Sequence, residues 1–346
     1  LPVNVSPLHD TQCHWDKVCH RATLNQNVTI NRFTNLTAHG KLEPRTRGSA
    51  GKDTMQLHDK LDTLRSMIGE LDCAAVSFSG GVDSTFLLAV AHEALGGRVI
   101  AITESNPLYP ARETAGAVAF CKEHGIRQYV VEHDVDGWEA LRDNPQNRCY
   151  LCKRKLFTML RQIADKRALE LGFIEAGQRI TYLEGSNASD LLDYRPGHKA
   201  VKELGALSPL EAAGLTKDEI RTLSREMGLP TADKPSFACL ATRFPYGEPI
   251  TAELLKRVDA AEQLLIDEGF GQLRVRMHDH GNMARVEVAP QRIVQLLDFM
   301  TREGSERFHA LGFSHVSIDV DGYRTGSMNE TLDPKLIADT QAIAGK

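Results

Sequence analysis

The 346-residue chain has no apolar run approaching the roughly 18 residues of a membrane span, so no membrane-embedded protein is expected. It lacks a strong charge of either sign. The net charge of -5 speaks against a sequence-general nucleic-acid binder and leaves room for a local basic site for a small anion. It has seven cysteines, an odd number at irregular spacing, unlike the disulfide framework of a secreted domain. A reducing cytoplasm is expected, with some thiols kept for chemistry or metal. Only one Cys-X-X-Cys is present, Cys149 to Cys152, which excludes a four-cysteine zinc ribbon. There is no internal repeat, no low-complexity tract and no apolar h-region of a secretory signal.

At about 150 residues per domain, this length suggests two domains. Residues 1–54 carry no sustained periodic pattern, and their Asn-X-Ser/Thr sequons at Asn4, Asn27 and Asn35 mean nothing in a cytosolic chain. Met55 stands directly before the amphipathic run Leu57 to Leu64, so residues 1–54 are expected to be a disordered or non-native leader. From Met55 the pattern predicts a helix, a strand over Cys73–Phe78, a helix keeping one face apolar, and strands at Val99–Thr103, Gln128–Glu132 and Ile180–Glu184. Helices are predicted near 110–124, 151–169 and Thr216–Met227, the last stopped by Gly228-Leu229-Pro230. Strands alternating with helices indicate an α/β parallel sheet covered on both faces. Site candidates then follow the strands, at Ser79–Ser84, Thr103–Ser105, His133–Asp136 and Gly185–Asp190. After an irregular loop from Thr231 to Gly247 comes a smaller α+β unit: a helix over 251–268, strands at Gln272–Met277, Ala284–Val288 and Val316–Val320, and helices from Pro290 and Asp333. The expected domains are 55–247 and 248–346.

Between the first strand and its helix lies Ser79-Gly80-Gly81-Val82-Asp83-Ser84-Thr85. Paired glycines allow a tight turn and keep side chains away from an anion. The helix start offers N–H groups to phosphate, with the Ser79, Ser84 and Thr85 hydroxyls beside them. No Gly-Lys-Ser/Thr follows at Walker A spacing, and the run resembles instead the PP-loop of ATP pyrophosphatases, which split ATP into AMP and pyrophosphate. The run Gly185 to Asp190 resembles the segment that closes the nucleotide pocket there, with Asn187 in it and Asp83 and Asp190 as candidate Mg²⁺ ligands. A lone Cys149/Cys152 pair is open to redox, zinc or iron–sulfur readings, and Cys239 offers a third thiol in a loop of site-like composition. Three thiolates can hold a four-iron four-sulfur cluster with one iron left for a non-protein ligand.

Together Ser79–Ser84, Asn187 to Asp190 with Asp193 to Gly197, Cys239 to Gly247, Gln272 to His278 and Gly322 to Asn329 resemble the LarE family, ATP-dependent sulfur transferases of nickel-pincer cofactor synthesis. The resemblance spans about residues 55–335 and implies a PP-loop ATP pyrophosphatase domain, adenine nucleotide alpha hydrolase-like, with the smaller α+β domain binding substrate. It implies that ATP adenylates a carboxylate of a pyridinium dicarboxylate mononucleotide and that sulfur then displaces AMP, giving a thiocarboxylate. Cys239 matches the cysteine that can be sacrificed as donor, becoming dehydroalanine. Cys149 and Cys152, absent from that form, match instead a cluster-bearing branch in which Cys239 is a third ligand. The resemblance further assigns Arg274 and Arg276 to the substrate phosphate, Glu262 and Glu287 to a divalent metal, and Arg243 to charge stabilisation near Cys239. Gln295 stands where a third metal carboxylate belongs, and Arg324 and Ser327 occupy a turn at the pocket. A homo-oligomer is expected. The competing readings are a tRNA thiolase, which should show a basic RNA-binding face, and an amide-forming ligase of the NAD or GMP synthetase kind, which would leave the three cysteines idle.

Overall fold

The computed structural model describes residues 4–7, 50–136, 138–192, 200, 203–235 and 238–324. The larger sheet contains β1 (Asn4–Pro7), β2 (Ala74–Ser77), β3 (Val99–Ser105), β4 (Arg127–Glu132) and β5 (Thr181–Leu183), in the order β1-β4-β3-β2-β5. Strands β2 to β5 run parallel, and β1 lies antiparallel along β4. The runs of β2 and β3 are apolar nearly throughout because both faces are covered. Ala75, Ile100 and Ile102 enter one core, while Ala74, Val76, Val99 and Ala101 enter the other.

Helices α1 (Ala50–Gly69), α2 (Val82–Leu95), α3 (Ala111–Glu123), α4 (Arg148–Glu170) and α5 (Lys217–Glu226) cover this sheet. Leu156, Phe157 and Leu160 place α4 on the first core, and the other four helices pack on the second. The expectation that α2 keeps only one face apolar is corrected. Phe86, Leu87, Leu88, Val90 and Ala91 are all buried, because α1 and α5 flank the helix where it lies over the sheet. Regular structure also reaches into the expected leader, as β1 and as the start of α1 ahead of Met55, while residues 8–49 lie outside the described residues.

The smaller unit is α6 (Ala252–Asp267), β6 (Leu273–His278), β7 (Met283–Val288), α7 (Ile293–Phe299), α8 (Ser305–Ala310) and β8 (His315–Ile318). Strands β6 and β7 pair antiparallel with Arg274 opposite Glu287, and β8 joins β7 in parallel. The helix expected from Pro290 begins as a 3₁₀ turn and continues as α7. The one expected from Asp333 lies outside the described residues. The core beneath α4 continues through Leu240, Ala241 and Phe244 to Leu255, Val258, Val275 and Phe308, so the two sheets share apolar packing across position 247. Among the described residues no helix is long and apolar enough to cross a membrane.

Helix α5 starts at a reciprocal cap. Thr216 Oγ1 accepts from the Glu219 N–H (3.4 Å), and the Glu219 carboxylate accepts from the Thr216 N–H (2.8 Å). Lys60 of α1 adds an ion pair to Glu219 at 2.7 Å. Thr216→Ala is expected to lower stability by about 1 kcal/mol, read as a lower urea midpoint with an unchanged slope.

Candidate active site

Strand β2 ends where the Phe78 N–H donates to Ile102 O (2.9 Å), and the chain turns at Gly80, whose φ is +71°. A Cβ there would lie 3.1 Å from the Ala117 Cβ and 3.2 Å from the Glu113 carbonyl oxygen, so α3 would have to give by a few tenths of an ångström to admit a side chain, on top of the strained backbone. Ser79 Oγ accepts from the Gly81 N–H (3.4 Å) and shares a hydrogen bond with Ser84 Oγ (3.0 Å), which tightens the loop on itself. A Cβ on Gly185 would lie 3.2 Å from the Ser84 nitrogen, so the segment after β5 lies directly against the loop. The first turn of α2 borders a cavity of about 350 Å³ at the carboxyl edge of the sheet, where its leading N–H groups present the positive end of the helix.

Of the predicted nucleotide residues, Ser79, Gly81, Asp83, Ser84 and Asp190 line this cavity. Gly80 supports the turn from behind. Thr85 is fully buried, with its hydroxyl unpartnered, because it lies on the part of α2 that packs against the core. Asn187 is also buried, its Oδ1 accepting from the Ser189 N–H (2.9 Å) while its own N–H donates to Asp190 (3.1 Å). It shapes the turn rather than the cavity wall. Asp193, Arg195 and Ser327 lie outside the described residues.

Three lysines went unnoticed in the sequence. Lys217, the first residue of α5, pairs with Asp83 at 2.5 Å. Lys234 reaches both Glu113 (2.8 Å) and the Gly80 carbonyl (2.8 Å). Lys153 lines the cavity one residue after Cys152, and its charge opposes the upward push that burial gives the Glu184 carboxyl. Lys153 and Lys217 together place cations beside the loop, as a polyphosphate requires. The only local signals were the cap before Lys217 and the adjacency of Lys153 to Cys152.

The three predicted cysteines lie near enough to feel one another's charge. Cys149 and Cys152 occupy the first turn of α4, three residues apart and hence on one side of it. Cys239 directly precedes the 3₁₀ turn Leu240–Arg243, and Ala238 beside it lines the cavity. Each thiol is free and half-buried. Burial pushes the Cys152 thiol up to about 12, with the Cys239 charge adding to the push. Burial likewise takes Cys239 to about 11, with Arg148 pulling it down and Cys149 raising it. Two thiols at a helix start and a third in a loop that feels their charge are the donor type an iron–sulfur cluster takes. Among the described residues no trio of His, Cys, Asp or Glu is placed to hold a single metal ion.

In the smaller unit the predicted residues are already engaged. Glu262 is fully buried against Arg243, at 2.8 and 3.0 Å, and also accepts from the Val275 N–H (3.1 Å). Glu287 pairs with Arg276 at 3.0 and 2.8 Å and with Arg285 at 3.1 Å. Each carboxylate would have to release an arginine before taking a cation. Arg243 donates to the Ala238 carbonyl (2.9 Å) and the Cys239 carbonyl (3.3 Å), so it braces the cysteine loop from within the core. Arg274 and Arg276 share one face of β6. Arg276 donates to the Thr242 carbonyl (3.0 Å), and Arg274 lies 4.9 Å from the Tyr323 ring centroid, its pKa lowered by burial and by Arg243. Arg324 pairs with Asp321 at 3.2 Å.

A glycine-paired junction of this kind, at the carboxyl edge of a parallel sheet, places the chain among the PP-loop ATP pyrophosphatases, and comparison with known proteins narrows the class. No protein-family profile matches. The chain is 40% identical over 277 residues to an uncharacterised protein of Synechocystis, covering 80% of this chain and 99% of that one. It is 32% identical over 283 residues to the pyridinium-3,5-bisthiocarboxylic acid mononucleotide synthase of Lactiplantibacillus plantarum, covering 82% and 98%. Over 186 residues it is 25% identical to one subunit of the glutamine-hydrolysing GMP synthase of Methanopyrus kandleri, covering 50% and 55%. The chain belongs to the LarE family, that of the Lactiplantibacillus synthase.

Two substitutions probe this geometry. Gly80→Ala combines a left-handed backbone, which costs roughly 1–2 kcal/mol, with the clash against α3. Calorimetric titration with Mg-ATP is expected to show binding lost or severely weakened. Glu262→Ala strands the Arg243 charge in the core and is expected to cost about 3–5 kcal/mol, measured by chemical denaturation.

Proposed function

We propose that this protein is an ATP-dependent sulfur transferase that adenylates a carboxylate of pyridinium-3,5-biscarboxylic acid mononucleotide and replaces it with sulfur, in nickel-pincer nucleotide cofactor synthesis. The observation that carries this reading is a shared cavity: the phosphate loop forms one wall, while Lys153 and Ala238, each next to a cysteine of the trio, stand in the same lining. Activation and sulfur delivery would therefore occur side by side.

A carboxylate oxygen leaves poorly, and joining it to AMP makes it a good leaving group. In this reading Ser79, Gly81 and Ser84 hold the departing pyrophosphate, while Lys217 exchanges its Asp83 partner for phosphate oxygen. Asp83 and Asp190 would hold Mg²⁺, which offsets the charge developing on the phosphates. Arg274 and Arg276 would grip the substrate phosphate through their guanidinium forks. Cys149, Cys152 and Cys239 would hold a four-iron four-sulfur cluster, which when bound supplies transferable sulfide. Arg243 keeps the Cys239 backbone in place throughout. A cytoplasmic location, a homo-oligomeric state and the absence of a nucleic-acid or membrane partner belong to the same proposal.

Anaerobically prepared protein, given ATP, Mg²⁺ and the pyridinium substrate, tests it. Substrate-dependent pyrophosphate release is expected, together with bound iron, labile sulfide and, once inorganic sulfide is added to replenish the donor, more than one thiocarboxylate per chain. Loss of the elements of H₂S from Cys239, seen by protein mass spectrometry after one turnover, would overturn the cluster reading and leave a sacrificial donor. Pyrophosphate release indifferent to the substrate would overturn the sulfur-transfer reading as a whole.

A further inference from the structure

Beside the cysteines, at the carboxyl ends of β3 and β4, lies a carboxylate that neither phosphate binding nor the cysteine trio uses. Glu104, near the end of β3, has a side chain only 9% exposed and lines the same cavity. His133, just past β4, places its Nε2 3.0 Å from Glu104 Oε1. The His133 ring lies parallel to Trp138, with centroids 5.3 Å apart, so its orientation is set by packing. The Asn106 amide donates to the same Glu104 oxygen, and its own carbonyl accepts from the Leu108 N–H (2.7 Å). The half-buried Tyr109 phenol completes the set with a hydrogen bond to Glu104.

This group borders the cysteines. Glu104 and Tyr109 line the cavity that Lys153 and Ala238, the neighbours of Cys152 and Cys239, also line, and the Tyr109 phenol feels the charges of Glu104, Cys239 and Cys152. The Tyr109 loop is also tied to the cysteine loop, because Leu108 O accepts from the Leu240 N–H (2.8 Å). A carboxylate in a cavity built for polyphosphate works against anion binding. A largely buried carboxylate in a cavity that borders the cysteines can instead serve as a general base.

We propose that Glu104, backed by His133, is the base that accepts the proton of the attacking sulfur in the transfer step. This deepens the sulfur-transfer reading and rests on it. The sulfur lone pair forms the S–C bond to the acyl carbon, and the C–O bond to AMP breaks with its electron pair leaving on AMP. The S–H proton passes to Glu104, directly or through the Tyr109 hydroxyl. No oxidant or reductant is needed. With hydrosulfide this step gives the thiocarboxylate directly; with a cysteine thiol it gives a thioester, and the thiocarboxylate then leaves as the Cβ–S bond breaks with loss of the Cα proton.

Rapid-quench single turnovers on the full enzyme, with ATP and the pyridinium substrate, separate the two half-reactions. In Glu104→Gln, pyrophosphate release should persist, while thiocarboxylate formation slows by about 10²-fold or more and acyl-adenylate accumulates. Glu104→Asp, which keeps a carboxylate, should recover part of the transfer rate. Transfer at the wild-type rate in Glu104→Gln, or parallel loss of both half-reactions in a variant that still melts cooperatively, would overturn the assignment. Should Glu104→Gln fail to fold, His133→Gln carries the test. It should also slow transfer more than pyrophosphate release, and equal effects on both would overturn the proposal. If the wild-type protein releases pyrophosphate but forms no thiocarboxylate, the sulfur-transfer reading falls first, and this assignment falls with it.

Discussion

The placement of Cys239 depends on an ion pair with no exposure to water. Arg243 and Glu262 are both fully buried, and taking two such charges out of water costs several kcal/mol each. The pair is stable because the groups around it have partners: both Glu262 oxygens meet the guanidinium, and the remaining Arg243 nitrogen reaches the carbonyls of Ala238 and Cys239. Glu262 also accepts from β6 through the Val275 N–H. One interaction thus joins α6, β6 and the cysteine loop. Arg276 repeats the arrangement from the strand face of β6, paired with Glu287 and donating to Thr242 O. The smaller unit therefore holds the cysteine loop through backbone carbonyls, which fix a chain path whatever the side chains do.

The other end of that loop is tied to the nucleotide site. Lys234 joins the Gly80 carbonyl to Glu113 of α3, while Arg221 of α5 holds the loop backbone at Ala232 O (2.5 Å) and Lys234 O (2.7 Å). Lys234 is thus anchored at the phosphate loop and Arg243 at the buried ion pair, and Cys239 falls between them in the chain. A nucleotide that displaced Lys217 from Asp83 would alter the charge balance within this frame without needing to move it. Rigid placement of reacting partners is worth more than any single contact when two reactions must occur in one cavity.

The parallel strands, the phosphate loop and the three thiols were legible in the chain because each is a local pattern. Apolar runs of strand length, a glycine pair at a strand–helix junction and a Cys-X-X-Cys at a helix start can all be read within a few residues. The bounds of α5 were legible for the same reason. The enclosure of α2 was not, since its hydrophobic run is compatible with one apolar face or with complete burial, and only its neighbours α1 and α5 decide. Thr85 and Asn187, read as nucleotide-binding, lie off the cavity lining, because motif membership does not say which side of a packed helix or turn a side chain takes.

From its residues alone, then, this chain declared a phosphate grip, a trio of thiols and an alternation of strands and helices. Only the tertiary structure decided what the charged residues do. Glu262 and Glu287 proved to be partners of Arg243 and Arg276, and Lys217, Lys234, Glu104 and His133 gained their roles by meeting residues distant in the chain. Charges act through space, and the distances that set their strength follow from packing rather than from sequence spacing.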